Sequence, residues 1–251
     1  MTQWLAGERD DSAQVRLFCF AHAGGGPSFF RPWRDALAPE IDVCAVHLPG
    51  RESRLRESAI DRMDALLDEL VPALRPFADR DVAVFGHSLG AAVGYEFARR
   101  LEREHGIVLR CLVVSGRRAP HLPARRDPLH DLPEADFLAG LRTLNGTPPE
   151  VLADPTLLEL FAPTLRADFA VNETYEHDPD VVLHCPIAAV TGDADPEVDL
   201  DEIARWRDVT TGSFSLRVFA GDHFYLKPEP DELLDAVRND VLAREVAQTL
   251  N

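Results

Sequence analysis

The periodicity of the chain changes at one pentapeptide, Gly86-His87-Ser88-Leu89-Gly90. Before it runs Asp81-Val82-Ala83-Val84-Phe85, a short apolar segment of the kind that forms a buried strand. After it, Ala91 to Leu101 reads as a helix. A strand that turns at once into a helix brings backbone very close to backbone. Side chains at 86 and 90 would clash there, so glycine is required at both positions. Ser88 is then held in a strained turn with its hydroxyl lifted clear of the sheet. G-x-S-x-G alone also occurs in ordinary tight turns. With a strand before it and a helix after it, the pattern reads as a nucleophile elbow.

The rest of the chain repeats this alternation. Apolar runs at 15–21, 41–48, 82–85, 108–115, 186–191 and 214–219 read as strands. Helical patterns fall at 28–37, 59–77, 200–209 and 229–246. Alternating strands and helices indicate an α/β fold with a mainly parallel sheet covered on both faces. The alternation stops between residues 120 and 180, where proline and helical patterns (133–144, 148–153, 156–175) replace strands. A connection that long is not a simple loop, and it reads as a helical insertion, most naturally a lid, within a single domain spanning 1–251.

The net charge of −17 over 251 residues argues against a general nucleic-acid binder, which needs a basic face. The four cysteines, Cys19, Cys44, Cys111 and Cys185, lie in or beside apolar runs without C-x-x-C spacing. They read as buried free thiols rather than disulfides or metal ligands. Residues 1–14 lack the apolar core of a signal peptide, and no run has the length of a membrane span. The expectation is a cytoplasmic monomer.

Serine needs a base, and the base needs an acceptor that fixes its tautomer. On this fold the order is Ser, then Asp or Glu, then His. His223 follows the last strand in Ala220-Gly221-Asp222-His223 and is the only histidine of the C-terminal quarter. His184 would lie at the wrong sheet edge, His47 reads as a loop organiser, and His121, His130 and His177 fall in or beside the insertion. The acid should follow the strand at 186–191, where Gly192-Asp193-Ala194-Asp195 offers two carboxylates. The G-x-x-D spacing favours Asp195, and Asp193 is the alternative, able instead to brace the turn. An oxyanion hole needs two amides. One is that of Leu89, after the nucleophile. The other comes from His22-Ala23-Gly24-Gly25-Gly26, from Ala23 first and Gly24 next. That loop has no G-x-G-x-x-G register and no acidic residue ends the second strand, so it does not read as a dinucleotide site.

Taken together, FCFAHAGGGPSFFRPW, HLPGRESR, FGHSLGAAVGYEFARRL, LRTLNGTPPEVLADPTLLELFAPTLRADFAVNETY, VTGDADPEV and LRVFAGDHFYL resemble the type II thioesterases. These stand-alone editing enzymes accompany modular polyketide synthases and nonribosomal peptide synthetases. The resemblance runs from about Val15 to Leu233. It implies an α/β-hydrolase fold with a helical lid, and hydrolysis of stalled or aberrant acyl thioesters on the phosphopantetheine arm of acyl or peptidyl carrier proteins. It also implies Ser88, Asp195 and His223 as the triad, Ala23 and Leu89 as oxyanion donors, and no metal or other cofactor. Ala21 and Leu89 depart from the family's frequent Pro and Met, and His47-Leu48 stands where an aromatic often precedes Pro-Gly-Arg. An acidic carrier would need a local basic face, supplied by Arg51, Arg54 and Arg56 or by Arg117, Arg118, Arg125 and Arg126. Phe137, Leu141, Leu144, Phe161, Leu165 and Phe169 are candidates for an acyl channel, or for packing within the insertion. The competing readings are a general carboxylesterase or lipase-like hydrolase, a chain-terminating macrocyclase domain (disfavoured because the chain starts at its own Met1), and a non-catalytic binding relative.

Overall fold

The computed structural model of the protein describes residues 2–143, 151, 153–228 and 230–243. Its six strands are β1 (Val15–Phe20), β2 (Ile41–Ala45), β3 (Asp81–His87), β4 (Cys111–Ser115), β5 (Ile187–Gly192) and β6 (Phe214–Phe219). They form one parallel sheet in the order β2-β1-β3-β4-β5-β6. β1 to β5 are apolar and almost wholly buried, which is what a parallel sheet covered on both faces requires. Alternation still assigns each side chain to a face. Along β1, Phe18 and Phe20 enter one core with α2 (Met63–Leu74) and α3 (Leu89–His105). Val15, Leu17 and Cys19 enter the other, with α1 (Arg31–Leu37). All four cysteines are free and buried.

The order places β1 between β2 and β3. The chain runs outward from β1 to β2, then returns to β3 on the other side, so the loops after β1 and β3 part at a topological switch point. These are the loops that carry His22–Gly26 and Ser88.

Element boundaries shift where particular residues interrupt the pattern. β2 ends at Ala45, because Val46 pairs antiparallel with Leu5 and the His47 amide bonds the Trp4 carbonyl. The N-terminal segment, polar in composition, therefore anchors through two buried residues, Trp4 and Leu5. The helix expected at 28–37 opens as a 3₁₀ turn, Pro27–Phe30, before α1. That at 59–77 is α2 followed by a 3₁₀ turn, Arg75–Phe77.

Between β4 and β5 lie α4 (Glu134–Thr143) and α5 (Pro155–Glu173), with no strand in the sheet among the described residues there. Phe137, Leu141 and Leu165 form a small separate core. Asp154 caps α5 by accepting from the Thr156 amide at 2.8 Å, and Pro155 fills its first position. After β5 come α6 (Leu200–Ile203), a 3₁₀ turn at Ala204–Val209, β6 and the closing helix α7 (Asp231–Leu242). The expected helix at 148–153 and the outer residues of that at 229–246 lie largely outside the described residues. Among the described residues, no helix is long and apolar enough to cross a membrane.

Candidate active site

Ser88 follows β3 and caps α3 with φ 56° and ψ −117°, a left-handed backbone that a serine adopts only under constraint. Its amide donates to the Ser115 carbonyl at the end of β4, 2.8 Å away. The two glycines act as the sequence predicts. A Cβ on Gly86 would stand 2.2 Å from the Gly90 carbonyl oxygen, and one on Gly90 would stand 2.2 Å from the Phe20 carbonyl oxygen.

His223 lies past the end of β6. Its Nδ1 is 2.9 and 3.0 Å from the two carboxylate oxygens of Asp195, whose side chain is fully buried. Asp195 also accepts from the Glu197 amide at 2.8 Å and, at 3.4 Å, from the Thr191 hydroxyl. An imidazole that donates from Nδ1 to a carboxylate presents Nε2 as a proton acceptor. Asp193 is exposed and has a different task. It accepts from the Gly221 amide at 2.9 Å and ties the β5 loop to the β6 loop. Of the two carboxylates the spacing offered, Asp195 meets the histidine and Asp193 braces the turn.

Behind this pair is a buried polar chain. His87 Nδ1 is 3.0 Å from the Ser115 hydroxyl, which is 2.8 Å from the Tyr225 hydroxyl. The His87 ring packs on His223 with centroids 4.9 Å apart. Burial holds His87 well below the usual imidazole range, and the neighbouring histidines add to this. Burial likewise takes His22 down to about 3, helped by Lys227. In both rings the shift favours the neutral imidazole.

The loop at 22–26 is set from the segment between β4 and β5. Asp168, on α5 and 2 % exposed, accepts from the Gly24 amide at 2.7 Å. The same carboxylate takes two bonds from Arg51, at 2.8 and 3.0 Å, while Arg51 also donates to the Gly25 carbonyl. Gly24 is thus committed to Asp168, which removes it as the alternative oxyanion donor. Among the described residues the amides of Ala23 and Leu89 donate to no protein acceptor. One turn before Asp168, Thr164 donates to the Gly50 carbonyl at 2.6 Å, and one turn after it, Asn172 accepts from Arg117.

A cavity of about 320 Å³ joins these parts, lined among others by Ala23, Ser88, Leu89, His223, Leu165 and Phe169. Leu141 lines it too, whereas Phe137 and Phe161 pack within the insertion; Leu144 lies outside the described residues. The Asp168–Arg51 pair was not singled out as a site in the sequence, although Asp168 stands in LRADF and Arg51 in LPGR. The expected basic face fares differently. Arg51 and Arg54 are buried, Arg54 on the His47 carbonyl and Glu57, so neither is available to a partner, while Arg56 is exposed. His47 organises that loop by bonding the Arg51 carbonyl at 3.0 Å.

The family model described as "Thioesterase domain" matches residues 15–241. "Thioesterase PikA5" of Streptomyces venezuelae is 41% identical over 232 residues, covering 92% of this chain and 82% of the relative. "Linear gramicidin dehydrogenase LgrE" of Brevibacillus parabrevis is 40% identical over 242 residues, covering 95% and 92%. The structure of BorB, a type II thioesterase from the borrelidin biosynthetic cluster, superposes with a TM-score of 0.84 at 40% identity, covering 95% of this chain and 97% of that one.

Proposed function

The chain belongs to the thioesterase family, and from that premise we propose that it clears stalled or aberrant acyl groups from the phosphopantetheine arms of carrier proteins in a polyketide or nonribosomal peptide pathway. It is a thioester hydrolase of the α/β-hydrolase fold. In our reading Ser88 attacks the thioester carbonyl while His223 Nε2 accepts its proton. Asp195 holds the imidazole in the required tautomer. The amides of Ala23 and Leu89 receive the oxyanion. The pantetheine thiolate leaves, taking a proton from His223. Water activated by the same imidazole then attacks the acyl-enzyme and frees the acid. The β4–β5 insertion serves as the lid, with Leu141, Leu165 and Phe169 against the acyl chain. The scheme calls on no metal or redox group, and the pantetheine belongs to the partner. The enzyme acts in the cytoplasm, where its substrates are assembled.

One observation carries this reading: strained Ser88, the unengaged Ala23 and Leu89 amides and an Asp195-bound His223 all border one cavity. The name of LgrE raises a second reading, hydride transfer. Against it, the Gly24 amide is taken by a carboxylate, where a dinucleotide fold keeps its glycine-loop amides open to the pyrophosphate.

The test is acyl release from a loaded carrier protein, followed by intact-protein mass, for wild type and Ser88→Ala. Loss of acyl mass with wild type only is the expected result. Cleavage of free esters but not of carrier thioesters points to a carboxylesterase, and inertness toward all acyl compounds to a binding protein.

A further inference from the structure

Charges along the cavity wall are matched almost throughout. Arg118 meets Glu202 at 2.9 Å, Arg125 meets Asp199 and Glu202, and Arg126 meets Glu197. Asp168 is held by Arg51, and Glu173 by His130. Arg117 is the exception. Among the described residues no carboxylate pairs with it. One terminal nitrogen donates to the neutral amide oxygen of Asn172, and its Nε–H is closed off from water with no acceptor. Burial draws the guanidinium down to about 10; Tyr175 opposes this and the charge of Arg118 adds to it, and the group stays charged at neutral pH.

Arg117 is half-buried, and a guanidinium with its Nε–H closed off and no counter-ion gains from an anion that arrives from outside. Its fork of donors fits carboxylate and phosphate. Its place ties it to the reaction. The preceding residue, Gly116, lies so close to His223 that a Cβ there would be 3.3 Å from the ring. The Arg117 carbonyl is fixed by the Trp206 indole N–H at 2.8 Å. The unmatched charge therefore starts one residue from the wall that touches the candidate base, and it lines the same cavity.

We propose that Arg117 is the counter-ion for an anion carried by the substrate, either a carboxylate on a short acyl group or the phosphate of the pantetheine arm. The assignment rests on the thioesterase reading and deepens it by naming a substrate feature.

Four thioesters separate the possibilities: malonyl and isovaleryl groups, which share a shape and differ in charge, each on N-acetylcysteamine and on phosphopantetheine. Wild type, Arg117→Gln, Arg117→Lys and Asn172→Ala are compared by kcat/KM, with melting temperature as the folding control. Arg117→Gln is expected to lower kcat/KM about 10- to 100-fold for anion-bearing substrates, the scale of one charge-assisted hydrogen bond. Isovaleryl-N-acetylcysteamine should change by less than about 3-fold, within what the loss of a neutral contact produces. Arg117→Lys should retain part of the preference. A loss confined to malonyl substrates identifies the carboxylate, and one confined to phosphopantetheine substrates the phosphate. An equal loss on all four overturns the proposal, in favour of a lid anchor where Asn172→Ala reproduces it, and no loss on any overturns it outright. If wild type cleaves none of the four and also releases no acyl group from a loaded carrier protein, the thioesterase reading itself has failed.

Discussion

Removing the Asp168 carboxylate should destabilise the protein far more than one surface ion pair would suggest. The Arg51 side chain is 7 % exposed and that of Asp168 3 %. In Asp168→Leu the guanidinium stays buried, with only the Gly25 and Pro49 carbonyls for partners. Breaking a buried pair from one side costs about 3–5 kcal/mol. The Gly24 amide loses its acceptor as well, adding about 1 kcal/mol or more. Together this approaches half of the ~5–15 kcal/mol that holds a domain folded. Arg51→Met leaves the opposite charge buried and should cost a similar ~3–5 kcal/mol. In the double variant Arg51→Met/Asp168→Leu both charges are gone and only the amide is orphaned, so the cost should fall to about 1–3 kcal/mol. The assay is equilibrium urea unfolding of the four proteins as a double-mutant cycle at pH 7.5. The expected coupling is roughly 3 kcal/mol or more. Single variants that each lose less than about 1 kcal/mol, or a double variant that loses their sum, would refute the reasoning. Asp168→Asn retains an acceptor for Gly24 and should keep more kcat than Asp168→Ala at equal folding.

Three further outcomes follow from the site. Asp195→Asn should reduce kcat by a factor on the order of 10³–10⁴, whereas Asp193→Asn should leave it within a few-fold, measured on one acyl thioester. Gly90→Ala drives a methyl into the Phe20 carbonyl and should cost about 3 kcal/mol, the upper end of overpacking, read as a fall in the urea midpoint. His87 is neutral when folded and titrates near 6.5 when unfolded, so the unfolded chain binds more protons below that pH and stability falls on acidification. At pH 5 the contribution should be about 2 kcal/mol, and His87→Gln should lose correspondingly less between pH 7.5 and pH 5 in urea titrations.

The core of the fold was legible because continuous apolar strands and amphipathic helices follow directly from burial on two faces. The elbow was legible because its glycines answer to sterics local to five residues. His223 and Asp195 could be found by chain order, since a parallel sheet delivers successive loops to one edge. The N-terminal anchor was not visible, because its two large buried residues, Trp4 and Leu5, stand in a segment that is otherwise mostly polar. Nor was the Asp168–Arg51 pair, whose members are far apart in the chain. In sequence each looks like an ordinary solvated charge, and only the tertiary approach of α5 buries them. The same ambiguity made Arg51 and Arg54 look like a surface patch.

Thr164, Asp168 and Asn172 stand at intervals of four, so they lie along one stripe of α5 and advance about 6 Å at each step. Their partners follow strand order: Gly50 lies beyond β2, Gly24 beyond β1 and Arg117 beyond β4. From β2 to β4 is three strand spacings, about 14 Å, and from Thr164 to Asn172 is about 12 Å of helix. The helix is thus a gauge laid across the ends of the strands, with the β3 turn and its serine beneath the span between Asp168 and Asn172. Its phase matters more than its composition. One residue inserted between Asp168 and Asn172 would swing the last contact by about 100°.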